Sequence, residues 1–242
     1  MDTFAGPRIP NVELVNGLKI PILGLGTSHH GGYSHSSVVY ALKECGIRHI
    51  DTAKRYGCES HLKTAIEKSG INRENLWITT KLWPGDYGCE TTKAACLESC
   101  KRLGVDYIDL YLMHWPGGNA LGKTNRELRA ETWQVLEELY DEGICRSIGV
   151  SNFLISHLEQ LKEDCDIIPH VNQNGVVTIP KSTKKERIWE NCQVFDFSLS
   201  KEDLLFINSL KNTKKLITLN YPLWKEQKPQ SEATIAKKDL FQ

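Results

Sequence analysis

The chain has 242 residues, 40% of them hydrophobic and 25% charged, with Lys plus Arg and Asp plus Glu equal at 30 each. That suits a globular protein of one or two domains, and a single α/β barrel takes about 250 residues. The even charge balance gives no electrostatic reason to expect nucleic acid or an anionic membrane as partner, and no apolar run approaches the ~20 residues of a membrane helix.

The opening residues, MDTFAGPRIPNVELVNG, lack the basic-then-apolar order of a secretory signal, so a cytoplasmic location is expected. Residues 11 to 20 read as a small hairpin turning at Asn16-Gly17, placed to cap one end of the domain. Strand and helix patterns then alternate. ILGLGT (22–27) is a strand, followed by a helix around 36–45 and a strand in RHIDTA (48–53). Leu62, Ala65 and Ile66 mark a helix stopped at Gly70. LWITTKL (76–82) is the third strand, and the next helix places Ala94, Leu97 and Cys100 on one side. YIDLYLMHW (107–115) is a strand; Trp133, Leu136, Leu139 and Tyr140 mark a helix closed by Gly143. SIGVSN (147–152) is a strand, Ile155, Leu158 and Leu161 a helix face, and HVNQ (170–173) a short strand. GVVTIPKS (175–182) reads as one more strand. Ser200 with Asp203 reads as a capping box for a last helix holding Leu204, Ile207 and Leu210 inside. Residues 211–242 are polar and Lys-rich and read as a tail beyond a barrel domain of 1–210.

Strands alternating with helices predict a parallel sheet. Gly24-Leu25-Gly26 begins like a dinucleotide-binding fingerprint, but His29 stands at the third glycine position. Polar residues instead recur at strand ends: Asp51, Lys81, His114, Ser151-Asn152, Gln173 and Lys181-Ser182. That recurrence is the pattern of the active face of a (β/α)8 TIM-type barrel. The eight cysteines include no C-x-x-C, and His29-His30 has no third ligand at fixed spacing, so no metal site is expected.

The motifs GLGT (24–27), DTAKRYGCE (51–59), TTKLW (79–83), LMHWP (112–116), GVSNF (149–153), VNQ (171–173) and IPKSTKKERIWEN (179–191) together resemble the aldo-keto reductases, in that family's order. The resemblance implies NADPH-dependent reduction of a small aldehyde or ketone to an alcohol by a monomeric enzyme. It implies Tyr56 as proton donor, Lys81 lowering the phenol's pKa, Asp51 fixing Lys81, and His114 orienting the carbonyl. It implies that Thr27 belongs to the cofactor site, that Ser151, Asn152 and Gln173 hold the nicotinamide carboxamide, and that Lys181, Ser182 and Arg187 clamp the 2′-phosphate. Glu190 and Asn191 match adenine contacts. Two cations and a hydroxyl suit a doubly charged phosphate.

The sequence departs from the family at two places. Cys58 stands where the family commonly has Asn. After Gln173, the segment from the sixth helix through the seventh strand and helix is missing, roughly 40 to 70 residues at typical element lengths. With it go an aromatic that stacks on the nicotinamide and a loop over the pyrophosphate. About seven strands remain, so the barrel is expected to be incomplete. Asn174-Gly175 suits a tight reversal that would turn the last strand antiparallel; otherwise HVNQ would leave the sheet. Either arrangement uncovers apolar surface through which the chain could associate. The alternative function is a catalytically inactive, truncated family member that binds a partner or is unstable.

Overall fold

The computed structural model describes residues 9–28, 32–118, 122–173, 178–195 and 197–209. His29 and His30, the Asn174-Gly175 step and the tail at 211–242 lie outside the described residues. β1 (Asn11–Glu13) and β2 (Lys19–Pro21) form the expected antiparallel hairpin. Gly17 turns it with φ 80°, a left-handed conformation that glycine adopts without strain. Its Val12, Leu14, Leu18 and Ile20 pack on Trp77, Leu110 and Leu112 and so close the N-terminal end of the sheet.

Six strands follow in sequence order, each parallel to the next. They are β3 (Leu25–Gly26), β4 (His49–Asp51), β5 (Trp77–Leu82), β6 (Leu110–Met113), β7 (Ile148–Val150) and β8 (Val171–Asn172). β4 through β7 are buried along their whole length, as parallel strands covered on both faces must be. The helices between them are α1 (His35–Lys43), α2 (Glu59–Ser69), α3 (Cys89–Leu103), α4 (Asn125–Asp141) and α5 (Ile155–Asp164), and the first four each pack on the next. α6 (Lys185–Cys192) packs on α1, and α7 (Lys201–Ser209) follows.

Neither arrangement expected for the shortened junction occurs. β8 stays in the sheet, parallel to β7, and Gln173 N donates to Val150 O at 2.9 Å. Thr178 pairs with Leu23, also in parallel. Thr178 N donates to Ile22 O, while Gly24 N and Gly26 N donate to Thr178 O and Pro180 O, at 2.9 to 3.1 Å. The described part of the seventh segment, from Thr178, is thus a bridge and a hydrogen-bonded run along β3. Its orientation is set by its neighbours. Ile188 and Cys192 of α6 are buried in the cluster formed with α1, Ser37 Oγ donates to Thr183 O at 2.7 Å, and Lys185 lies over the Tyr40 ring. A reversed strand would forfeit all of these contacts. Among the described residues no strand pairing joins β8 to the Thr178 segment, so the described ring is open there. Among the described residues, α5 and α6 make no contact comparable to the other neighbouring helix pairs.

Exposed apolar side chains lie on the elements bordering this opening: Leu154, Ile155 and Ile168 around α5, and Trp189, Val194, Phe195 and Phe197 in and after α6. Ile155, expected on a buried face, is 77% exposed. The capping box of α7 forms, with the Ser200 and Asp203 side chains bonded to each other and to each other's backbone N–H. Leu204 and Ile207 are nevertheless exposed rather than inside. In α3 the buried face carries Ala95, Cys96, Ser99 and Cys100, rotated from the expected one, and Leu97 faces water.

Two glycines allow the strand contacts beside the opening. A Cβ on Gly149 would lie 2.3 Å from Val171 O, and one on Gly26 would lie 2.8 Å from Ile179 O. Backbone cannot yield there without parting β8 from β7, or the Thr178 segment from β3. Gly149→Ala and Gly26→Ala are each expected to cost about 1–3 kcal/mol by urea denaturation. Gly85→Ala, whose Cβ meets only ordinary contacts, should stay within about 0.5 kcal/mol.

Candidate active site

The polar residues named from strand ends converge at the C-terminal end of the sheet. Asp51 closes β4 and Lys81 lies in β5; their side chains are 3% and 2% exposed. Lys81 Nζ donates to Asp51 Oδ1 at 2.6 Å and to Thr52 O at 3.0 Å. Asp51 O accepts from both the N–H and the hydroxyl of Thr27 at 3.0 Å, which ties β3 to the pair. Cys58 Sγ lies 3.5 Å from both Thr27 and Thr52, so the thiol fills the space between two strand ends.

Tyr56 sits in a 3-10 turn, Lys54–Tyr56, closed by Gly57. That turn is pinned by the Lys54 ammonium, which donates to both oxygens of Asp86 at 2.8 Å. Lys81 Nζ lies 5.3 Å from the centre of the Tyr56 ring. His114, just past β6, meets the Tyr56 ring edge-on at 5.7 Å. Its ring is buried, and among the described residues Nδ1 has no hydrogen-bond partner. Trp83 and Trp115 also pack on this ring. Neither tryptophan was singled out from the sequence, although Trp83 directly follows β5, which carries Lys81, and Trp115 directly follows His114. Buried Glu59 was missed too. It accepts from Thr80 Oγ1 and Arg102 Nε, both at 2.7 Å, and so braces α2 against β5 and α3.

The electrostatics depart from expectation at Tyr56. Its phenol is pushed up from its ordinary value, by burial first and then by the Asp51 carboxylate. The net direction is upward although the Lys81 ammonium lies close to the ring, because burial dominates and the Asp51 carboxylate paired with Lys81 opposes it. Burial pulls Lys81 below the usual lysine range, while Asp51 pulls it up. Burial, with Lys81 adding, holds His114 down to about 3. Inside the sheet, burial takes His49 down to about 4.

The expected cofactor residues fall into two groups. Ser151 is buried at the end of β7. Asn152 has φ 61°, a conformation uncommon outside glycine and frequent at functional sites. Asn152 Nδ2 donates to His114 O and Ser151 Oγ, at 2.9 and 3.1 Å. Gln173 Nε2 donates to Asp51 Oδ2 at 2.6 Å. The second group lies across the opening. Lys181 is half-buried beside Gly26, and the Ser182 hydroxyl accepts from Lys184 N. Arg187 and Glu190 are exposed on α6, and Asn191 is half-buried there. The exposed and half-buried side chains of this group suit a phosphorylated adenosine. The first group supplies amides at the mouth of the catalytic cluster, already bonded to it. These residues fit NADPH at both ends.

His49 and His114 bind a proton in the folded chain only near pH 4 and pH 3, against about 6.5 when unfolded. Below pH 6.5 the unfolded chain therefore holds more protons, and stability falls with pH until the folded values are reached. At about 1.4 kcal/mol per unit and per group, a few kcal/mol should be lost between pH 7 and pH 5. Urea midpoints across that range measure it, and His49→Gln should remove roughly half of the effect.

The profile of the Aldo/keto reductase family matches residues 23–176 and stops at the shortened junction. An uncharacterised oxidoreductase of Caenorhabditis elegans is 34% identical, covering 88% of this chain and 85% of that protein. That alignment runs over 274 residues, so about sixty aligned positions have no counterpart here. Glyoxal reductase of Bacillus subtilis is 36% identical over 85% of this chain and 94% of its own length. Among solved structures, an aldo/keto reductase from Brucella melitensis superposes with TM-score 0.74 at 33% identity, covering 83% of this chain and 98% of that one. A Bombyx mori aldo-keto reductase in complex with NADP gives 0.79 at 27%, covering 90% and 99%. The half-barrel of parallel strands is thus an incomplete (β/α)8 barrel, and the chain belongs to the aldo-keto reductase family, a family of oxidoreductases.

Proposed function

We propose that the chain is an NADPH-dependent reductase of small aldehydes or ketones, with Tyr56 as general acid. The assembled cluster of Asp51, Lys81, Tyr56 and His114 carries this reading. When bound, NADPH would supply the hydride that reaches the carbonyl carbon. The residues must then deliver a proton to the carbonyl oxygen. Tyr56, raised by burial, holds its proton at neutral pH and is a donor rather than a phenolate. As the proton leaves, the nearby Lys81 ammonium favours the phenolate left behind. Asp51 keeps that ammonium charged and in place against the pull of burial. His114, held neutral, orients the carbonyl by a hydrogen bond rather than by charge. Ser151, Asn152 and Gln173 would hold the nicotinamide carboxamide, with Thr27 nearby in the cofactor site. Lys181, Ser182 and Arg187 would clamp the 2′-phosphate, and Glu190 and Asn191 would face the adenine. The similarity to glyoxal reductase supports a small carbonyl substrate.

The opening between β8 and the Thr178 segment, with apolar side chains along its borders, favours a second reading. In it the chain is an inactive family member that associates through that surface.

Thermal shift with NADPH separates the two. Stabilisation at sub-millimolar NADPH is expected, and its absence in a folded sample leaves the second reading. Tyr56→Phe should keep the shift and lower turnover by about 10²–10⁴. Lys181→Ala with Arg187→Ala should weaken NADPH about tenfold or more, and NADH far less.

A further inference from the structure

We propose that Gln173 is a positioning residue for Lys81, acting through Asp51, and that its amide couples the carboxamide-binding end of the site to the proton-donating end. The coupling to a carboxamide rests on the reductase reading; the action on Lys81 does not.

The two oxygens of Asp51 are divided between two donors at equal distance, Lys81 Nζ on Oδ1 and Gln173 Nε2 on Oδ2, each at 2.6 Å. A carboxylate is planar, so fixing Oδ2 fixes the direction in which Oδ1 meets the ammonium. A donor on Oδ2 also draws charge from the carboxylate, and so weakens its hold on the Lys81 proton. The other groups facing this point are Tyr56, His114 and His49, with His49 close enough to feel both Asp51 and Lys81. His49 and His114 are neutral and Tyr56 is protonated at pH 7, which leaves Asp51 as the carboxylate that sets the state of Lys81.

The shortened junction gives this contact its place. Gln173 N is bonded to Val150 O, and five residues on, Thr178 N is bonded to Ile22 O on the other side of the opening. With both ends of so short a link anchored, Gln173 reaches Asp51 by side-chain torsion alone. An amide has a second end, and with Nε2 on Asp51 the carbonyl Oε1 is the end that would accept an N–H from a carboxamide. One side chain then senses the cofactor and holds the partner of Lys81.

The test is the titration of Lys81 followed by its ¹³Cε resonance in ¹³C-lysine-labelled full-length chain without cofactor, assigned with Lys81→Met. Gln173→Met keeps the length and removes the donor, so the Lys81 midpoint should rise, by roughly tenfold in proton affinity. Gln173→Glu adds a negative charge beside Asp51 and should raise it further. A purely structural role would lower melting temperature without ordering the midpoints Gln, Met, Glu. Equal midpoints in wild type and both variants, or a fall, overturn the proposal. If Gln173→Glu does not fold, the Met variant decides alone. Saturating NADPH should then move the wild-type midpoint and leave that of Gln173→Met in place; a move of equal size in both overturns the coupling. Failure of wild type to bind NADPH removes the reductase reading, and with it the coupling, while the cofactor-free titration still decides the role of Gln173 on Lys81.

Discussion

A lysine and an aspartate, both almost wholly removed from water, face each other at 2.6 Å across neighbouring parallel strands. Burying each charge costs several kcal/mol, and mutual attraction offsets that only when the remaining donors and acceptors are also satisfied. Here Thr52 O takes a second bond from Lys81, Gln173 takes the far oxygen of Asp51, and Thr27 binds the Asp51 backbone. Those partners stand in or just beyond β3, β4 and β8. The pair is therefore tolerable only where these strands are aligned with their C-terminal ends together. Removing either charge would leave the other buried and uncompensated, a loss of about 3–5 kcal/mol. The need to satisfy the buried pair thus ties it to the parallel register.

Local neighbour relations, rather than the number of strands, decided how the shortened chain closes. A barrel closes when strand number, tilt and shear agree, so losing a unit forces either a new closure or an opening. The segment from Thr178 has its own partners, in the backbone of Ile22, Gly24 and Gly26 and in the surface of α1. Reversing it would have moved Lys181 and Ser182 to the far end of the sheet and broken every one of those bonds. An opening costs only what lay across it. That cost is visible in the exposed side chains on both borders, with Ile155 at 77% and Phe197 at 62%.

Much of this was legible from residue order. Polar residues ending apolar strands located Asp51, Lys81, His114, Ser151 and Gln173 because a parallel barrel leaves only that end free to carry chemistry. Asn16-Gly17 and the Ser200–Asp203 box were legible because turns and caps are local. The buried face of α3 was not. Apart from Leu103, its inward residues, Thr92, Ala95, Cys96, Ser99 and Cys100, are small and weakly apolar, while Leu97 faces water. Close packing of helix on helix favours small residues, and a hydrophobicity pattern does not register them. The capping box announced α7 but carried no information about what would cover it. The raised phenol of Tyr56 was illegible for a different reason. Its direction is set first by burial and then by the Asp51 carboxylate, and neither the depth of the ring nor its distance from that carboxylate is given by which residue types are present.

The opening divides the site along a chemical line. Asp51, Tyr56, Lys81 and His114 all precede the junction, on strands β4 to β6 and the turns just after them, and they are braced by contacts that also precede it, Lys54–Asp86 and Glu59–Arg102 among them. The proposed phosphate clamp follows the junction and leans on α1. The proposed proton transfer thus belongs to the side of the barrel that precedes the junction. What the missing segment removed is span: the wall that would lie along a dinucleotide between its nicotinamide and its phosphate. Binding energy from a remote phosphate assists chemistry only if the ligand holds both ends in register. Gln173 stands at the last residue before that gap with its amide on Asp51, so it is where loss of span would be felt by the Asp51–Lys81 pair.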